Sequence, residues 1–260
     1  MSDDALLISR DGPVAVVTLN RPGVHNALNR RTLEELSAAV NDLAAHGSVR
    51  AIVLTGAGEK AFSAGADLDE LSGLNYEQAS AALGYGQSVM LEVSRCPVPV
   101  IAAVNGVALG GGFELALAAS FVVVSTRASF GLPESGLGLI PGYGGTQRLP
   151  RLVGPAVAAY LMLSGRRLSA GRAYELGLAP TEPVEPADLL ENATQIAVEI
   201  ARRGPMANSA ILQALQTTAP PPAHLEAETS LAAAATAGPE AAEGIAAFKA
   251  RRQPEFAERP

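Results

Sequence analysis

Two carboxylates and a run of three glycines are the residues of this sequence whose types and spacing suit chemistry. The stretch VNGVALGGGFELALAAS, residues 104–120, sets Gly110, Gly111 and Gly112 side by side and Glu114 two places later. Glycine inside a helix costs about 1 kcal/mol against alanine. Three together therefore signal a demand on the backbone, either a positive φ or close approach of a ligand to bare N–H groups. The pattern predicts a strand ending at Val104 and a helix starting near Gly111. The first N–H groups of a helix have no partner within it and sit at the positive end of its dipole, which suits an oxyanion. A tight strand-to-helix turn with no ligand would use the same glycines.

A second stretch, AFSAGADLDEL, residues 61–71, is again small, glycine-containing and followed by a predicted helix. Asp67 with Glu70 three places on fits a capping box, a structural role. The N–H of Ala66 is placed to face the same space as that of Gly111, and two such donors would complete an oxyanion hole. The acids are Glu114, on the first turn of an otherwise apolar helix, and Glu134, in FGLPESGLG just after Pro133. An acid among apolar residues is rarely buried without a partner or a purpose. Both side chains pointing to water is the plain alternative. Set together beside an oxyanion site, they could move a proton on one side of a bond and handle water on the other.

Other chemistries find no support. No G-x-x-x-x-G-K-[ST], G-x-G-x-x-G or G-x-S-x-G occurs, and His25, His46 and His224 are scattered, so no metal site is expected. The net charge of −7 argues against a nucleic-acid partner. A lone cysteine, Cys96, fits a reducing compartment. The acidic start MSDDALLISRDG is unlike a signal peptide, and no apolar run approaches the ~20 residues of a membrane span. A cytoplasmic protein is expected.

Elements must position these groups. ALLISRDGPVAVVTLNRP reads as two strands joined at Asp11-Gly12. Leu33, Leu36, Val40 and Leu43 give a helix over 31–45 with one buried stripe. RAIVLTG, PVPVIAAVNG and FVVVST read as buried strands, and the recurring strand–helix–strand order predicts an α/β core. After residue 154 the strands are expected to stop, leaving Ala-rich helices punctuated by proline. Residues 1–185 form the expected α/β core and 186–260 a helical region that packs on something, a subunit interface being one candidate.

Three long stretches resemble the crotonase superfamily, in particular its enoyl-CoA hydratases: KAFSAGADLDEL (60–71), PVIAAVNGVALGGGFELALA (99–118) and FGLPESGLGLIPGYGGTQRLPRLVG (130–154). NRPGVHNALNRRTLEEL (20–36) and EGIAAFKARRQPEF (243–256) extend the resemblance over nearly the whole chain. It implies a spiral of repeated β-β-α units with a helical C-terminal region. It implies that Ala66 and Gly111 supply the two N–H groups that hold a thioester oxygen, and that Glu114 and Glu134 are the two catalytic glutamates. Gly142 matches a glycine lining the catalytic pocket. Ala64 lies where the family contacts the adenine, and Lys249 where a basic residue, of the same or a neighbouring subunit, approaches the CoA phosphates. Tyr143 stands where common hydratases have a smaller residue; its ring either narrows the acyl pocket or points elsewhere. The acyl tail is expected along residues 75–96.

The activity the resemblance implies is addition of water across the C2=C3 bond of a trans-2-enoyl-CoA. Isomerisation or dehydration of a specialised acyl-CoA is the alternative, and a CoA-thioester binder without turnover or an RNA-binding relative a more distant one. No cofactor beyond the CoA of the substrate is implied. Neither nucleic acid nor membrane is expected as a partner. The family is typically a homotrimer or a hexamer built as a dimer of trimers.

Overall fold

The computed structural model describes residues 4–256 of the chain. β1 (Leu6–Asp11) and β2 (Val14–Leu19) form an antiparallel hairpin, which turns at Gly12 with φ of 55°. The strands that follow are β3 (Ala51–Gly56), β4 (Ala61–Ser63), β5 (Val100–Val104), β6 (Val107–Leu109), β7 (Phe121–Val124), β8 (Ser129–Gly131) and β9 (Leu168–Ser169). They make two sheets, in the orders β1-β2-β3-β5-β7 and β4-β6-β8-β9. β2, β3, β5 and β7 run parallel, as do β4, β6 and β8.

The chain therefore climbs as a spiral. A strand of the first sheet leads through a short link to a strand of the second, then to a helix, then to the next strand of the first. Every residue of β3 and β5 is buried, which is why these strands read as unbroken apolar runs rather than alternations.

The helices are α1 (Arg30–Ala45), α2 (Leu68–Leu71), α3 (Tyr76–Arg95), α4 (Gly111–Ala118), α5 (Gly145–Val153), α6 (Pro155–Ser164), α7 (Ala170–Glu175), α8 (Leu189–Ala201), α9 (Pro205–Leu215), α10 (Pro222–Thr236) and α11 (Pro239–Lys249). α1 is capped by Asn29, whose side chain accepts from Thr32 N at 2.9 Å, and it buries Leu33, Leu36, Val40 and Leu43. Four of the helices after residue 154 open on proline, at Pro155, Pro205, Pro222 and Pro239, where the missing N–H costs nothing. α8 covers one face of the first sheet through Leu189, Ala193 and Ala197. Among the described residues no helix is long and apolar enough to cross a membrane.

Two expectations are corrected. Strand pairing does not stop at residue 154: β9 adds an antiparallel edge to the second sheet, and Val184 bridges Ser125. These pieces are two residues and one residue long, too short to carry a periodic signal. The Asp67–Glu70 capping box is not formed. Asp67 accepts from Asp69 N at 3.3 Å, while Glu70 reaches across to accept from Arg30 N at 2.7 Å.

The elements that carry the two acids are joined through the core. Phe113 of α4 and Phe130 of β8 are fully buried with ring centroids 5.1 Å apart. Phe113→Ala is expected to lower stability by about 3–5 kcal/mol, the usual cost of emptying so large a site. Urea unfolding measures it, and a loss within the scatter of surface substitutions would contradict this packing.

Candidate active site

Three short segments leave the C-terminal ends of β4, β6 and β8, neighbours in one parallel sheet, and all three carry candidate residues. After Ser63 come Ala64, Gly65 and Ala66; after Leu109 come Gly110 and Gly111; after Gly131 come Leu132, Pro133 and Glu134. Parallel neighbours end on the same side, so the spiral delivers the three segments to one place, as ligand sites in α/β sheets commonly are. Two glycines let them meet. Gly110 has φ of 49°, and a Cβ there would lie 2.9 Å from Glu134 Oε1. At Gly112 a Cβ would collide with the Ser63 carbonyl, so only glycine lets α4 start against the end of β4.

The two candidate donors lie together. A methyl on Gly111 would sit 3.3 Å from Ala66 N, and one on Gly65 would sit 3.2 Å from Gly111 N. Ala66 forms a parallel bridge with Leu28 in which Gly65 O and Asp67 N make the hydrogen bonds. The N–H of Ala66 therefore points to the opposite side. Gly111 is the first residue of α4, where no intrahelical acceptor exists.

Glu114, one turn into α4, is 1% exposed. Its Oε1 accepts from Tyr143 N at 2.8 Å and from Gly145 N at 2.7 Å. Burial drives its carboxyl well above the usual range, and the nearby Glu228 and Glu134 add to the rise; the two N–H bonds act against it. Glu134 opens a 3₁₀ turn, Glu134–Leu137. Burial raises its carboxyl to about 8, and Glu228 contributes in the same direction. Its Oε2 is buried with no hydrogen-bond partner among the described residues. The two bonds to Oε1 favour the anion, but burial and the neighbouring acids outweigh them and hold the Glu114 carboxyl raised.

The remaining expected residues fall at different distances from this centre. Tyr143 is buried, with its ring against Gly111 on one side and Gly86 of α3 on the other; burial raises its phenol, with Glu114 adding. It also borders a cavity of about 60 Å³ lined by Ala66, Leu33, Leu71, Ala82 and Tyr85 among others. Gly142 faces Leu83 and Ala232, between α3 and α10, rather than the acids. Ala64 is exposed and donates its N–H to His25 O at 2.9 Å. Lys249, in the last turn of α11, pairs with Asp69 of α2 in the same chain at 2.6 Å. Among the described residues no group of three or more His, Cys, Asp or Glu is arranged to hold a metal ion.

Two charged residues near the acids were not singled out from the sequence. Glu228 of α10 is 2% exposed, and burial raises its carboxyl. Arg148 of α5 is also buried; its Nη1 donates to Tyr143 O at 2.7 Å and its Nη2 has no hydrogen-bond partner among the described residues. A signal existed: Leu225, Glu228, Ala232 and Thr236 are spaced 3, 4 and 4 apart, which puts Glu228 on the buried stripe of α10.

Known proteins share this arrangement of chain. The family described as Enoyl-CoA hydratase/isomerase matches residues 9–259. A probable enoyl-CoA hydratase from Rhizobium meliloti is 43% identical, with 100% of each chain covered. The crotonyl-CoA hydratase of Syntrophomonas wolfei is 37% identical, covering 98% of this chain and 99% of its own. A crystal structure of enoyl-CoA hydratase from Bacillus anthracis superposes with a TM-score of 0.79 at 40% identity, covering 97% of this chain and 98% of that one. The chain belongs to the enoyl-CoA hydratase/isomerase family and has the crotonase fold.

The acids also set a pH dependence. A carboxyl raised in the folded state holds its proton more tightly there than in the unfolded chain. The stability Glu134 contributes is complete below its unfolded value, about 4.3, and is lost as pH rises through about 8. Glu134→Gln is expected to reduce the fall in unfolding free energy from about pH 5 to about pH 9, with the part due to Glu114 and Glu228 left in place. Urea unfolding at a series of pH values tests this, and an undiminished fall would contradict the raised carboxyl.

Proposed function

We propose that this chain adds water to a trans-2-enoyl-CoA to give the 3-hydroxyacyl-CoA. The observation that carries the reading is the meeting of two neighbouring amides, Ala66 N–H and Gly111 N–H, with two glutamates, the buried Glu114 of α4 and the half-buried Glu134 whose Oε2 is shielded from solvent. The thioester oxygen takes both N–H bonds. As the oxygen of water bonds to C3, the C2=C3 electrons move toward the carbonyl and charge grows on that oxygen. Donors already aimed there stabilise the enolate-like state more than the ground state. Glu114, in its ionised form, takes a proton from the water. Glu134, protonated up to about pH 8, delivers a proton to C2. One proton then passes from Glu114 to Glu134 to restore the starting state.

Tyr143 fits short acyl groups. Its ring lies against Gly111, the donor residue, and borders the small cavity beside Ala66. The CoA would run past Ala64 toward the α2–α11 face, where Lys249 lies. Assembly as a homotrimer or a dimer of trimers is consistent with large apolar side chains left exposed after residue 154, among them Met206 at 86%. Dehydration of a 3-hydroxyacyl-CoA would use the same groups in reverse, and product analysis from either side separates net direction.

Glu114→Gln and Glu134→Gln are each expected to lower crotonyl-CoA hydration by about 100- to 10,000-fold. Loss of the conjugated enoyl-thioester absorbance follows the reaction, and a folded variant with undiminished turnover would remove that residue from the chemistry. Tyr143→Ala is expected to shift kcat/KM toward longer enoyl chains in a series of graded length. An unchanged length profile would show that the ring does not bound the acyl group.

A further inference from the structure

Glu228 lies outside the reacting groups, yet it grips the segment that holds one of them. The N–H groups of Tyr143 and Gly145 go to Glu114 Oε1. Those between and after them go the other way: Gly144 N–H donates to Glu228 Oε1, and Thr146 N–H donates to Glu228 Oε2 at 2.9 Å. The Thr146 hydroxyl donates to the same Oε2, and Gln87 Nε2 of α3 donates to Oε1 at 3.3 Å. Four successive amides thus alternate between two buried carboxylates, one on α4 and one on α10. Each carboxylate fixes the plane of the peptide units that the other needs. Arg148 closes the arrangement by donating to Tyr143 O at 2.7 Å.

We propose that Glu228 is a positioning residue for the reaction: it locks Gly144 and Thr146 so that the amides of Tyr143 and Gly145 stay aimed at Glu114. The inference rests on the hydration reading, because it assigns Glu114 as the group being aimed. Glu228 touches no reacting atom. A glutamate here serves better than an amide because both of its oxygens accept, and the segment presents donors to both. A displacement of about 1 Å at Glu114 is enough to cost on the order of 100-fold in rate.

Glu228→Gln keeps the shape but turns one oxygen into a donor. Whichever way the amide rotates, either Gly144 N–H or Thr146 N–H faces another N–H. The expected result is a fall in kcat of about 10- to 100-fold with KM changed by less than about threefold. Hydrogen exchange of the amides of residues 143–146 should quicken while the β3 and β5 amides keep their protection. A folded Glu228→Gln with the kcat and the loop protection of the parent overturns the proposal. If that variant does not fold, Thr146→Val removes one donor to Glu228 at constant volume. It should lower kcat severalfold and quicken the same amides, and an unchanged kcat and exchange pattern would overturn the proposal equally. Should the unaltered protein hydrate no enoyl-CoA, the hydration reading fails by itself. The exchange of residues 143–146 in Glu228→Gln still decides whether Glu228 holds the segment.

Discussion

A carboxylate cannot remain charged in an apolar interior unless its charge is answered there. Glu114 is almost wholly buried, and among the described residues no cation bonds to its Oε1; two backbone amides, from Tyr143 and Gly145, do so instead. Amides neutralise nothing. They orient dipoles at the carboxyl and leave it more basic than one paired with arginine would be, so that burial holds it raised. The same bonds tie the α4 helix to a segment about thirty residues further along the chain. Where a cation is present, at Arg148, burial lowers its own affinity for the proton, and its hydrogen bond goes to a backbone carbonyl.

The spiral makes this possible. Each turn leaves the second sheet at the C-terminal end of its strand, so the segments after β4, β6 and β8 lie side by side without any long-range search by flexible loops. What remains is to let the backbones come close, and the glycines do that. Gly110 leaves room for Glu134, and Gly112 lets α4 press on the end of β4. The answer to why so much backbone freedom is spent in GGG is therefore partly geometric. The middle glycine, Gly111, lies beside the amide of Ala66, while its neighbours clear the approach of other elements.

Much of this was legible in residue order. The α1 stripe, the first hairpin and the buried strands follow from spacing, because each is long enough for a period to show. The GGG run and the isolated Glu114 stood out because they break local expectation. Glu134 stood out less by itself and more by company. The rest was hidden for identifiable reasons. β9 is too short to read. The spacing reads Glu70 as a cap within its own turn, but it accepts from Arg30 N, forty residues away. Glu228 sits in an alanine-rich helix far along the chain, and only tertiary structure brings it to Gly144 and Thr146. The Tyr143 ring could not be oriented from sequence, because its place between Gly86 and Gly111 depends on two helices meeting.

The central claim is that Ala66 N–H and Gly111 N–H hold the oxygen of an acyl thioester with Glu114 and Glu134 beside its second and third carbons. A crystal structure with acetoacetyl-CoA bound tests it most directly. The account predicts the thioester oxygen within about 3 Å of both nitrogens, and the acyl carbons between the two carboxyl groups. A thioester oxygen bonded elsewhere, with those two amides facing solvent, would contradict it.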